Sequence, residues 1–367
     1  MEISTGNLSL LFNGYQKVFN EALESAQSQY KEISMIVPSK TTQELYGWLD
    51  NLPGMREWVG DRVIHRLGSQ GFAIRNKNWE QTIGLDRDDI SDDRYGLFAP
   101  LVRNMAVAGA THPDQLIFSL LGDGFKTKCY DGRNFFDTAH PVSMNDKKRG
   151  TYSNVFGSGK YAPWFLLDCS RPLRPLIFQN RMPLMFVQKT SPQTDNVFFE
   201  RTYYYGAEAR YNVGLGMPQL AFACTDPLTP YNYSVVRAAM MSQRGDNGRP
   251  LGIRPTHLVT VPGNEGVALR LLRSETIDAS TNEWAGSVKP IITQYLLGAS
   301  SATDAWENVA DFISPNFSYG TALGTSEDGK PPVATSTEPS TGTSASTPES
   351  DANTSPNTTE TSSTDGK

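Results

Sequence analysis

Three short stretches of this 367-residue chain hold the side chains from which catalysis or ligand binding is usually built. The first runs from Cys129 to Pro141 and contains Asp137 and His140. A cysteine becomes a nucleophile when an imidazole can take its proton, and a carboxylate can orient that imidazole. Here the three lie among turn formers, and His140 directly precedes a proline, so we expect a loop anchored by hydrogen bonds. The second stretch, Gly157-Ser158-Gly159-Lys160, resembles the end of a phosphate-binding loop. Asn154 stands where that loop needs its first glycine, and Tyr161 replaces the hydroxyl residue that would hold magnesium. In the third, five aspartates fall between Asp86 and Asp93, without the mid-loop glycine and final glutamate of a calcium loop. We read that run as a solvated turn whose carboxylates cap short helices. No zinc-protease motif, nucleophile elbow or spaced metal-ligand cluster occurs. The chain is expected to hold no catalytic residues, no cofactor and no metal.

Composition narrows the setting. Thirty-three basic residues against thirty-nine acidic give a formal charge of -6, most of it in residues 321–367, where seven acids face two lysines. That segment has 21 serines or threonines and no aromatic residue. It cannot bury enough apolar surface to offset its ordering entropy and is expected to be disordered. The remainder is near neutral and holds all 17 Phe, 15 Tyr and 6 Trp, an aromatic content suited to contact surfaces. Cys129, Cys169 and Cys224 form no CxxC pair, which predicts reduced, buried thiols in a cytoplasmic setting. Apolar runs fall far short of the roughly 20 residues of a membrane span, and the N-terminus does not resemble a secretory leader.

The elements that must position these residues are legible in outline. Leu8, Leu11, Phe12, Tyr15, Val18, Phe19, Ala22 and Leu23 recur at helical spacing, so an amphipathic helix opens the chain. It would pack on its own core or on a neighbouring subunit. Residues 33–37 read as extended before Pro38. Residues 41–85 read as a glycine-punctuated, partly strand-forming excursion whose aromatic side chains need a partner. A helical pattern returns over 95–122, with Pro113 marking either a kink or a break. Strands are expected at 164–167, 176–178, 184–187, 197–205, 257–261 and 290–295. Helices are expected after Thr229-Pro230 and around 267–272, with 306–312 closing the body. Mixed elements in this order predict an α+β fold.

Several blocks, in order over roughly residues 5–310, resemble the Mu-like phage major head subunit (gpT) family. They include Tyr46-Gly47-Trp48-Leu49, Glu57-Trp58-Val59-Gly60, Pro113-Asp114-Gln115-Leu116-Ile117-Phe118, Cys129-Tyr130-Asp131-Gly132-Arg133-Asn134-Phe135-Phe136-Asp137, Leu166-Leu167-Asp168-Cys169-Ser170-Arg171 and Ile253-Arg254-Pro255-Thr256-His257-Leu258. The resemblance implies a Hong Kong 97-like major capsid fold. Its parts would be an N-terminal arm (1–44), an E-loop (45–84), a peripheral domain (85–164) with a spine helix (95–122) and an axial domain (165–285). Residues 286–320 would return to the peripheral domain, and the acidic tail 321–367 lies outside the pattern.

The resemblance also implies a role without chemical turnover. Hexamers and pentamers of one chain would form an icosahedral shell around double-stranded phage DNA, the alternative being an encapsulin-like compartment with enzyme cargo. Phe12, Tyr15, Phe19, Tyr46, Trp48, Trp58, Phe72 and Trp79 are the expected contacts of arm and E-loop with other subunits. Lys147, Lys148 and Arg149, aided by Arg201 and Arg210, are the expected non-specific contacts with DNA phosphates. Further expected partners are a scaffold protein, a portal and a decoration protein, with no membrane involved. The place of action would be the virion capsid, assembled in the bacterial host cytoplasm.

Overall fold

Two larger β-sheets organise the described residues, one on long strands that partly alternate buried and exposed positions and one on short strands buried on both faces. The structure is a computed structural model, and it describes residues 5–46, 72–92, 96, 98–142, 150–245, 248–277 and 280–296. These belong to one unit, residues 1–317; a second, 318–367, lies outside them. The expected disorder of the tail, the segment 306–312 and the basic run at 147–149 therefore lie outside the described residues, as do Trp48 and Trp58.

Helix α1 (Thr5–Ser25) carries the predicted stripe, and Leu8, Tyr15, Phe19 and Ala22 are buried along it. A single turn, α2 (Tyr30–Ile33), leads into strand β1 (Ser34–Pro38). Strands β2 (Gln43–Tyr46) and β3 (Phe72–Arg75) pair antiparallel at the two ends of residues 47–71. Strand β4 (Lys77–Asp86) follows, and the aspartate run forms the short helix α3 (Arg87–Asp92). The Asp86 carboxylate accepts the Asp88 amide, as expected of a capping aspartate.

Helix α4 (Phe98–Gly122) answers the question raised by Pro113: the helix runs through it. Val102, Met105, Ala106, Pro113, Ile117, Phe118 and Leu121 form its buried stripe. Two glycines let neighbours approach closely. A Cβ at Gly109 would lie 2.4 Å from the Leu184 side chain, and one at Gly122 would lie 2.5 Å from the Leu296 carbonyl oxygen.

Short strands β5 (His140–Pro141), β6 (Thr151–Tyr152) and β7 (Val155–Phe156) precede β8 (Trp164–Leu167), which is buried on both faces. The long strands β9 (Leu176–Lys189) and β10 (Thr202–Leu215) form a hairpin whose end is helix α5 (Asp195–Glu200). The rest comprises β11 (Ala221–Cys224), α6 (Pro230–Met241), β12 (His257–Thr260), α7 (Glu265–Arg273), β13 (Thr276–Ile277), β14 (Ser280–Thr281) and β15 (Lys289–Ile292). Helix α6 begins as its sequence demands, with Pro230 in the first turn and the Thr229 hydroxyl accepting the Asn232 amide at 3.1 Å.

The two larger sheets have the orders β1-β9-β10-β4 and β15-β12-β8-β11-β7, and the pairs β2–β3, β5–β6 and β13–β14 form two-stranded ribbons. Helices α1 and α4 pack on the first sheet through Phe186, Tyr203, Tyr205 and Ala207. Helices α6 and α7 pack on the second through Tyr233, Val236, Met240, Leu271 and Leu272.

One expectation is corrected: residues 197–200 are helical rather than extended, because α5 turns the chain between β9 and β10. Within 165–285, β9 and β10 pair with each other and with β1 and β4, whereas β8 pairs with both β11 and β12. Strand β15 is the edge strand beside β12. These strand partners are distant in sequence, which local periodicity does not register.

Candidate assembly surfaces

The residues expected to touch other subunits fall into two groups. Those of α1 are largely used by the chain itself. Phe19 is fully buried and stacks on Phe186 at 5.1 Å, Phe12 stacks on the same ring at 5.5 Å, and Tyr15 meets Tyr205 edge-on at 5.5 Å. Tyr15 and Phe19 thus belong to the subunit core, and Phe12 is half-buried beside it. Elsewhere on the helix, Leu10 is well exposed.

The second group lies around the ribbon β2–β3. Tyr46 is buried, and its hydroxyl donates to the Gln179 side-chain oxygen at 2.8 Å. Phe72 is half-buried, whereas Leu45 projects outward from the same ribbon. Trp79 on β4 donates its indole N–H to the Tyr211 carbonyl at 3.0 Å and meets the His112 ring at 4.5 Å. Its covering therefore comes from this chain's own α4 and β10 in part.

Among the described residues, the most exposed pair of touching aromatic rings is one that the sequence did not single out. Phe198 and Phe199 at the end of the β9–β10 hairpin are 72% and 75% exposed, with their rings packed edge to face at 4.9 Å. The tip that presents them is held firmly. Asn196 donates its side-chain amide to the Lys189 and Thr202 carbonyls, at 3.2 and 2.7 Å. Arg201, the one described non-glycine residue with positive φ (54°), ends the helix and pairs with Asp88. Tyr204 donates to the Glu200 carboxylate at 2.6 Å. In a strand, two adjacent phenylalanines would point to opposite faces and one would be covered; in a helical turn at a hairpin end both face water.

The stretches that resembled chemistry resolve as scaffolding. The Cys129 thiol donates to Asp131 at 3.0 Å, and the same carboxylate meets His140 Nδ1 at 2.6 Å. His140 is fully buried, stacks on Tyr152 and meets the Phe135 carbonyl through Nε2. Burial, reinforced by the Asp131 hydrogen bond, pushes the Cys129 thiol far up, so it is a hydrogen-bond donor and not a nucleophile. Burial alone would raise the Asp131 carboxyl. Hydrogen bonds from His140, Cys129 and the Arg133 amide outweigh it and hold that group below its usual range.

These three side chains offer ligand atoms within 4.8 Å of one another. Carboxylate and imidazole are nevertheless already in hydrogen-bond contact, closer than the roughly 3.3 Å edge of a tetrahedral site with bonds near 2.0 Å. The arrangement is a buried hydrogen-bonded lock that closes the loop. Asp137, three positions before His140, accepts the Ala139 amide at 2.9 Å.

At Gly157–Lys160 the Ser158 amide and hydroxyl go to Asp226, both at 2.8 Å, and the Gly159 amide goes to the Thr225 hydroxyl. Donors that would cradle a phosphate are thus used by this chain. Among the supporting cations, Arg201 is paired with Asp88 and Arg210 is half-buried. Among the described residues, no helix is long and apolar enough to cross a membrane.

Comparison with known proteins places this arrangement. Residues 8–296 match the family model of the Mu-like prophage major head subunit gpT. The major capsid protein of Escherichia phage Mu is 40% identical over 305 residues, covering 81% of this chain and all of that protein. The FluMu prophage major head subunit of Haemophilus influenzae is 39% identical over 297 residues, 78% of this chain and 96% of that one. Among solved structures, a subunit of the bacteriophage JBD30 procapsid superposes with a TM-score of 0.71 at 39% identity, over 80% of this chain and 100% of its own. Subunits of the JBD30 capsid, and of that capsid decorated with minor capsid protein trimers, give TM-scores of 0.65 and 0.61, each at 30% identity. They cover 81% and 80% of this chain, and 100% and 99% of their own.

Proposed function

The chain belongs to the Mu-like prophage major head subunit gpT family, and from that premise we propose that hexamers and pentamers of it close into an icosahedral shell around double-stranded phage DNA. It is a major capsid protein of the Hong Kong 97-like fold, a structural subunit rather than an enzyme, and its place is the virion capsid. The observation that carries the assembly reading is the match, over the whole length of their subunits, to a phage procapsid and a phage capsid. It favours a DNA-filled head over an encapsulin-like compartment.

In this reading residues 1–44 are the arm and 45–84 the E-loop, which reaches across a neighbouring subunit with Trp48 and Trp58. Helix α4 is the spine of a peripheral domain that also takes in the long strands β9 and β10, with β1 of the arm and β4 at the end of the E-loop range pairing at their two sides. The β15-β12-β8-β11-β7 sheet, with α6 and α7, is the axial domain. The Phe198–Phe199 tip, together with Phe12, Phe72 and Trp79, supplies apolar contact area between subunits. Lys147, Lys148 and Arg149 face packaged DNA. Assembly proceeds in the host cytoplasm with a scaffold protein and a portal. A decoration protein on the finished shell is supported by the minor capsid trimers of the JBD30 particle.

Electron microscopy of the expressed chain, with and without its scaffold, is the test. Shells or hexameric rings are the expected result; a monomer at all concentrations with scaffold present would overturn the reading. Nuclease-resistant DNA in particles from infected cells separates a head from a cargo compartment.

A further inference from the structure

The two strands of one ribbon, β2 and β3, bracket residues 47–71, and directional hydrogen bonds fix the ribbon to the sheet. A two-stranded ribbon such as β2–β3 is marginal by itself and free to swing. Here its base is tied at one buried point. Gln179, near the start of β9 and fully buried, accepts from the Tyr46 hydroxyl at 2.8 Å. Its amide nitrogen donates to the Ile74 carbonyl at 3.1 Å and to the Asn76 side-chain oxygen at 2.8 Å.

Asn76 passes the connection onward, donating to the Ser39 hydroxyl at 2.8 Å and the Thr41 carbonyl at 2.9 Å. Glu44 closes the turn between β1 and β2: one carboxylate oxygen accepts the amides of Lys40 and Thr41 and the hydroxyls of Ser39 and Thr41. Those bonds, the backbone amides foremost, lower its carboxyl to about 2. Close packing reinforces the tie, since a Cβ at Gly214 would lie 2.1 Å from Ile74 Cδ1. Apolar contact alone tolerates rotation, whereas buried hydrogen bonds lose strength steeply with misalignment and are costly to leave unmade.

We propose that Gln179 is a positioning residue for assembly. Through Tyr46, Ile74 and Asn76 it sets the direction in which residues 47–71 leave the sheet, and so where they land on a neighbouring subunit. This rests on the reading of 45–84 as a loop that covers a neighbour. The described ends carry the argument: Tyr46 and Phe72 are partners in the β2–β3 register, so a rotation of this pair turns both points from which residues 47–71 leave.

The test uses Gln179→Leu, which keeps the volume and removes all three bonds, and Tyr46→Phe, which removes one and keeps the ring. Spin labels at Trp58→Cys and Lys77→Cys in the unassembled full-length subunit report the loop's direction as a distance distribution. The native thiols are buried and stay unlabelled. The expected result is a distribution about twofold wider in Gln179→Leu and intermediate in Tyr46→Phe. Closed shells should give way to open or irregular sheets, with melting of the unassembled subunit little changed in Tyr46→Phe. An unchanged distribution in Gln179→Leu overturns the inference at its base. A widened distribution with normal shells overturns it differently, by showing that the loop does not direct assembly.

Discussion

Replacing Phe198 and Phe199 together by serine separates a contact between subunits from a contact within one. In the subunit the two rings are 72% and 75% exposed and touch each other. With about 200 Å² per phenylalanine side chain, the tip offers about 300 Å² of apolar surface. Covering it fully at about 25 cal/mol per Å² is worth up to about 7 kcal/mol per tip. Orientation and ordering costs of association consume much of that, and a realised third is about 2.5 kcal/mol. At about 1.4 kcal/mol per tenfold, the variant needs roughly 60-fold more protein to assemble. The fold should barely register the change, since exposed substitutions fall within about 0.5 kcal/mol, or about 2 °C in Tm at this size. Sedimentation velocity and negative-stain microscopy over a concentration series give the threshold, and thermal unfolding of the unassembled subunit gives the control. Assembly at the wild-type threshold would refute the reasoning. So would a fall in Tm above about 5 °C, which would assign the rings to the fold.

Gly122→Ala places a methyl group 2.5 Å from the Leu296 carbonyl oxygen and should cost about 1–3 kcal/mol. Gly14→Ala on α1 meets nothing within 4 Å and should gain up to about 1 kcal/mol; equal melting temperatures for the two would contradict the packing described. Asp131→Asn breaks the buried lock with Cys129 and His140 and should cost about 3 kcal/mol. Because the folded state holds the Asp131 carboxyl low, its contribution is complete above the unfolded value of about 3.9 and is lost as pH falls through the lower folded value. Melting followed from pH 6 to pH 2 should therefore slope less in Asp131→Asn than in wild type over that acidic window. All three cysteines are buried, and burial raises Cys169 to about 12 and Cys224 to about 11, with Cys129 higher still. A thiol reagent at pH 8 should label none in the native subunit and all three in denaturant, so one rapidly reacting thiol would contradict the burial.

The sequence by itself determined the elements whose signal is local. The stripe from Leu8 to Ala22 specifies α1, and Val102 to Leu121 specify α4, because helical periodicity is written in neighbours three and four apart. Thr229-Pro230 marks the start of α6 within a residue, since cap and first-turn chemistry belong to single positions. The ordered blocks shared with the head-subunit family indicated the fold and the absence of catalysis before any contact was known.

Only the tertiary structure decided which surfaces those elements leave open. Tyr15 and Phe19 read as contact residues, and their burial depends on Phe186 and Tyr205, which nothing near α1 announces. Phe198 and Phe199 read as strand residues, and their exposure depends on the hairpin ending in a helical turn. Gln179 carried no signal, because its three partners lie more than 100 positions away. The physical reason is common to all three. Periodicity is a property of adjacent residues, whereas the cost of closing a loop rises only logarithmically with its length, so a strand or a hydrogen bond can take a distant partner almost as readily as a near one.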